Sequence, residues 1–155
     1  MAETASDVST NTALPPLSVA VHELVASLQA LHGLRPDRDY AAYHSYLTAR
    51  LRRVRKQGGF KQSKGKGGFV PKVLSAADVG KAPSLLVVPL LEAERAWANG
   101  MEVKQTLESG PKQGHSRLAS HMYSRLRKAV AHARAFEELC ATSGADERTR
   151  VEATA

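Results

Sequence analysis

Four stretches of this chain carry apolar residues at spacings of three and four, and none alternates apolar with polar at period two. Such a chain buries its apolar surface by packing helix on helix, so the expectation is an all-α fold of antiparallel helix pairs. In the first stretch Val21, Leu24, Val25, Leu28 and Leu31 share one face, with Ser18 as candidate N-cap and Gly33 placed to end the helix. In the second, Tyr40, Tyr43, Leu47, Leu51 and Val54 recur, Asp37 is the candidate cap, and Gly58–Gly59 stop the run. The third holds Leu86, Leu90, Ala93, Trp97 and Met101, with Trp97 expected in the core. Because Pro89 is tolerated only in a first turn, this helix should start near Val88. The fourth aligns Leu118, Met122, Leu126, Ala129, Ala133, Phe136 and Cys140.

The connections complete the division. Residues 1–16, small and polar and ending in Pro15–Pro16, read as a disordered tail ahead of a helical domain over 17–155. Lys61 to Gly80 carries four glycines and one proline with little periodicity, and is expected to be a loop. DERTRVEATA at the end reads as the first turns of a further helix, so the chain is expected to be one domain of a longer protein.

Charge is distributed unevenly along this frame. From Arg50 to Lys72 the chain holds nine of its 22 Lys and Arg and no acid, and the thirteen elsewhere are outnumbered by the 15 Asp and Glu. A field this local calls for a polyanionic partner: nucleic acid, an anionic membrane surface or an acidic protein. Arg50, Arg53 and Lys56 fall on one side of the second helix and Arg52 and Arg55 on the neighbouring side. Arginine suits phosphate there because its planar fork engages two oxygens at once. The following GGFKQSKGKGG adds Lys61, Lys64 and Lys66 on permissive backbone and offers Phe60 as a ring for stacking on an unpaired base. On the fourth helix Arg117, His121, Arg125, Lys128 and His132 recur as a basic stripe, flanked by Arg127 and Arg134. Two basic surfaces on a small bundle favour a concave or bent nucleic acid, RNA before DNA. A nuclear-import signal or a solvated face remains the plain alternative for RLRRVRK. The rival function is a basic helical adaptor docking acidic proteins or anionic membrane.

Several chemistries find no support. Gly65–Lys66 lacks the first glycine and the Ser/Thr of a nucleotide-binding loop, and no strand precedes it. The six histidines show no ligand spacing, and His22 and His44 read as helix-surface residues. Glu92, Glu94 and Glu102 among Arg95 and Lys104 read as a solvated, ion-paired face. Cys140, the single cysteine, lies on an apolar face as a structural thiol, which excludes an intrachain disulfide. Neither an enzyme nor a cofactor or metal site is expected. No apolar run reaches the roughly 18 residues of a bilayer span, and the N-terminus lacks the pattern of a secretory leader, so the expected compartment is the cytosol or nucleus.

HGLR (His32–Arg35), DYAAYHSYLTARLRRVRK, LLEAERAWANGMEVKQ (Leu90–Gln105) and SRLRKAVAHARAFEELC (Ser124–Cys140) follow one another in an order that resembles the N-terminal RNA-binding domain of the signal recognition particle 68-kilodalton subunit family. The likeness runs from about Leu17 onward. It implies a tetratricopeptide-like helical bundle that binds signal recognition particle RNA near the S-domain three-way junction and remodels it through an arginine-rich motif. By position that motif corresponds to Arg50, Arg52, Arg53, Arg55 and Lys56 with the following loop, and SRLRK adds Arg125, Arg127 and Lys128. The resemblance further implies a ribonucleoprotein of protein targeting to the ER, cytoplasmic with a nuclear or nucleolar assembly phase. Its partners would include the 72-kilodalton subunit, met through a region absent here, and it would not insert stably into membrane. Pro89 and the glycine-rich loop depart from the family pattern.

Overall fold

A computed structural model describes residues 16–61, 64–65, 68–69 and 72–155; for 64–65 and 68–69 it describes the backbone only. The tail expected over 1–16 therefore lies outside the described residues except for Pro16, and so does Lys66. The fold is all-α: α1 (Val21–Leu31), α2 (Tyr40–Gln57), α3 (Ala76–Lys81), a 3₁₀ turn (Pro83–Val87), α4 (Val88–Ser109), α5 (His115–Thr142) and α6 (Glu147–Thr154). Among the described residues, extended pairing is limited to a two-residue antiparallel ladder inside the basic loop, β1 (Lys64–Gly65) with β2 (Gly68–Phe69), and a single parallel bridge between Leu17 and Ala145.

α4 is the central element. Along α2 and α4 partners run in opposite senses: the Arg38 carbonyl accepts from Gln105, Tyr43 Oη donates to Glu94, and Gly58 faces Leu85. α4 and α5 are antiparallel too, Glu92 lying against His132 and Gly100 against Leu126. Tyr43, Leu47, Leu51, Leu86, Leu91, Ala98, Phe136 and Cys140 are buried together between these three helices. α1 adds Val21 and Leu28 and takes α6 as its helical neighbour.

The start of the domain is strapped to its end. Asp146 N–H donates to the Leu17 carbonyl at 2.8 Å, and buried Thr149 both accepts from Val19 N–H and donates to its carbonyl. That pairing explains why Ser18 does not cap α1: its segment runs beside α6, and Ala20, at the N-cap position of α1, offers no side-chain cap.

Other expectations shift by a residue or two for local reasons. Asp39, not Asp37, caps α2, because it stands one residue before Tyr40 and its carboxylate accepts from Ala42 N–H at 2.9 Å. Leu31, the last residue of α1, is 76% exposed rather than packed. Ala133 likewise lies exposed on α5. Trp97 packs only partly on the core, its ring edge-on to Tyr40 at 5.6 Å. Pro89 falls in the first turn of α4, as expected of a residue without an amide hydrogen. The loop expected through Gly80 is shorter, since Ser75 and Asp78 form a reciprocal capping box that starts α3. Among the described residues no helix is long and apolar enough to cross a membrane, and no three His, Cys, Asp or Glu cluster as metal ligands. Cys140 is fully buried, and burial pushes its thiol up to about 11.

Candidate nucleic-acid interface

The basic end of α2 is shaped by its terminator. Gly59 takes φ +66, its N–H donates to the Lys56 carbonyl, and Phe60 N–H reaches back to the Arg55 carbonyl at 2.9 Å. This paired bonding of a left-handed glycine and the residue after it closes the helix and throws Phe60 inward. Phe60 is consequently 8% exposed, part of the core, with Lys72 Nζ 5.0 Å from its ring centroid. It is not a free stacking surface: the turn that ends the helix has already committed the ring to packing.

Beside that turn lies an open cleft of about 470 Å³ lined by Arg52, Arg55, Lys56, Lys61, Phe60 and Arg95, with Thr48 at its inner end. A second cleft of about 450 Å³, between α2, α4 and α5, is lined by His44, Arg125, Lys128, His121 and His132, and again by Thr48 and Arg95. The two share Thr48 and Arg95 and so adjoin, a composite groove with those two residues as its common wall. The basic surfaces that look separate in sequence meet because α4 lies between α2 and α5 and Arg95 stands on its exposed side.

The groove does not take in every basic residue expected at the site. Lys56 joins Arg52 because i and i+4 share a helical face. Arg50 is on the opposite side of α2, donating to Tyr46 Oη at 2.9 Å near Leu17 and Val19. Arg127 lies on the outer face of α5 with exposed Tyr123, Val130 and Arg134. Arg53 and Arg117 are exposed and line neither cleft. Lys61 is exposed at the mouth of the first cleft; the backbone of Lys64 lies in β1.

Glu92 is the one carboxylate in this lining. Arg55 Nη2 bonds its Oε1, and His132 Nδ1 lies 3.3 Å from its Oε2. Burial opposes its ionisation, but the His132 bond and the guanidinium of Arg55 together hold its carboxyl below the ordinary value. Glu94 also points inward, accepting from Tyr43 Oη at 2.8 Å and Gln29 Nε2 at 3.0 Å, and thereby ties α1 and α2 to α4. Burial, with Glu94 beside it, drives the Tyr43 phenol well above its ordinary value. The solvated acidic face expected of α4 is thus two inward anchors, with Glu102 further along.

Two residues missed as site residues in the sequence belong to the groove. Arg95 is half-buried; burial first, then the Arg55 guanidinium, disfavour its charge, Glu92 offsets them in part, and Arg125 adds to the crowding. His44, expected at an ordinary surface, faces Arg95 and Arg125; burial and those two cations hold it below its ordinary value against the opposing pull of Glu102. Helical periodicity places both beside apolar faces and says nothing of what lies across from them. An electropositive groove with one committed carboxylate suits a polyanion whose charges repeat along its length.

The family described as RNA-binding signal recognition particle 68 matches residues 36–155. The chain is similar to signal recognition particle subunit SRP68 of Caenorhabditis elegans, 38% identical over an alignment of 149 residues that covers 92% of this chain and 23% of that protein. Against the subunit of the same name in Drosophila melanogaster it is 32% identical over 140 residues, 89% of this chain and 22% of that protein. Against that of Dictyostelium discoideum it is 35% identical over 131 residues, covering 82% and 20%. The chain therefore spans about a quarter or less of the length of these relatives.

Proposed function

The chain belongs to the RNA-binding signal recognition particle 68 family, and from that membership we propose that it is a noncatalytic domain binding signal recognition particle RNA along the groove between α2, α4 and α5. The observation that carries the reading is the joining of the two basic surfaces through Thr48 and Arg95. Arg52, Lys56 and Lys61 meet one stretch of backbone and His121, Arg125 and Lys128 the next, with Lys64 and Lys66 on the loop beyond. The RNA stands near the three-way junction of the S domain, where a deep groove otherwise too narrow for side chains opens and lets the end of α2 enter and remodel it. Arg50, Arg53, Arg117 and Arg127, outside the groove, contact RNA only where it wraps beyond those helices. The setting is the cytoplasmic particle that targets nascent proteins to the ER, alongside the particle's other proteins.

Arg52 is the cleanest position to test, being exposed and free of the Glu92 pair that holds Arg55. Arg52→Glu combined with Lys128→Glu should abolish RNA binding at near-physiological salt while the circular-dichroism helix signal and Tm stay as in the parent. Retained binding would remove the groove from the interface, and lost helicity would assign the two residues to the fold.

A further inference from the structure

Arg95 is the cation common to both clefts, and it stands on α4, outside either basic segment of the sequence. Its surroundings are those of a ligand seat rather than of a structural ion pair. Glu92, one turn earlier on the same helix, is taken from two sides by Arg55 and His132. Among the described residues the Arg95 guanidinium enters no hydrogen bond or ion pair, while Arg55 and Arg125 crowd it from α2 and α5. Arg125, in the same wall, has its Nε buried without a hydrogen-bond partner among the described residues. A half-buried guanidinium so placed lowers the stability of the free protein, and an anion entering the groove would relieve that cost. Asn99, one turn further along α4, brings an amide to the same wall.

We propose that Arg95 and Arg125, with Asn99 beside them, form a phosphodiester seat on the groove floor where an RNA strand passes from the end of α2 to α5. The inference rests on the RNA-binding reading above and adds a contact on a helix that carries neither basic segment. The chemistry is that of a phosphate oxyanion held by the planar forks of two arginines. Free phosphate shares that chemistry, but a strand supplies neighbouring charges to Arg52 on one side and Lys128 on the other, and an isolated anion does not.

The test is RNA affinity over a salt series for the parent, Arg95→Gln and Arg95→Lys, with the Tm of each free protein. Losing a charge-assisted phosphate contact should weaken Arg95→Gln on the order of tenfold to a hundredfold. Its slope of log affinity against log salt should shrink by roughly 0.7–0.9, one phosphate's worth. Arg95→Lys should retain the slope, and neither change should lower Tm, since the like-charge crowding is relieved or unchanged. Parent-like affinity and slope for Arg95→Gln would overturn the seat while leaving RNA binding intact. Affinity that falls only in step with Tm in both variants would also overturn it, making Arg95 a packing residue. Equal displacement of the RNA by millimolar inorganic phosphate or by an acidic polypeptide of matched charge would refute a strand-specific seat. A parent protein that binds no RNA at all would instead refute the function proposed above.

Discussion

Gly58 shows how a single residue sets the geometry of the basic helix end. A Cβ built there would lie 2.4 Å from Leu85 Cδ2 and 2.6 Å from its Cγ, and Leu85 is 1% exposed with no room to withdraw. Gly58→Ala should therefore destabilise the domain by about 1–3 kcal/mol, read as a fall in Tm or denaturation midpoint. An unchanged midpoint would mean that Leu85 repacks and that the turn tolerates a side chain. Gly59 answers to a different constraint: open space surrounds it, and its positive φ is what the terminator requires. The glycine pair was legible in the sequence as a helix stop. The fate of Phe60 was not, because whether an aromatic after such a stop turns inward depends on the core it meets, here the buried cluster that also holds Leu85. Arg95 was illegible for a related reason. Its spacing from Glu92 suggests a local ion pair, but the carboxylate is claimed by residues from two other helices.

At the scale of elements, α2, α4 and α5 could be read from spacing because each is long, although α4, packed against both neighbours, buries Leu91 and Ala98 outside the face expected of it and leaves Trp97 and Met101 half-buried. Six-residue α3, with Gly80 inside it, is too short to show periodicity, and only the Ser75 and Asp78 capping pair announces it. The inward turn of Glu92 and Glu94 was hidden because their partners come from α1, α2 and α5. These arrangements give the domain a pH response with a definite sign. His44 on α2 faces Arg95 and Glu102 of α4 and Arg125 of α5, and is held below its ordinary 6.5 in the fold. The unfolded chain thus binds its proton more readily, and stability should decline as pH falls through about 6.5 toward the lower folded value. Glu92, held below 4.5, adds a second loss of the same sign as pH drops through that region. Melting curves from about pH 8 down to about pH 3 should show both declines. The upper one should flatten in His44→Gln and the lower one in Glu92→Gln. An upper decline unaltered by His44→Gln would mean another group carries it.

At the scale of the molecule, a three-helix core with α4 in the middle brings two basic segments, far apart in the chain, to one groove. The all-α class and the presence of two basic surfaces were legible in the sequence, as was the family likeness. Their continuity was not, since it follows from α4 lying between α2 and α5, a fact of packing order that no single stretch encodes. Continuity also changes the expected ligand. Two isolated patches would hold any polyanion, whereas a groove with a half-buried guanidinium floor should favour an RNA whose backbone is already bent or opened. The most direct measurement is a competition gel shift at near-physiological salt, in which a signal recognition particle S-domain junction RNA competes against a plain RNA duplex of equal length. A groove built for a junction should show clear preference for the junction RNA, retained as salt rises and lost in Arg52→Glu. Equal competition by the duplex would contradict it, and would reduce the groove to a generic surface for polyanions.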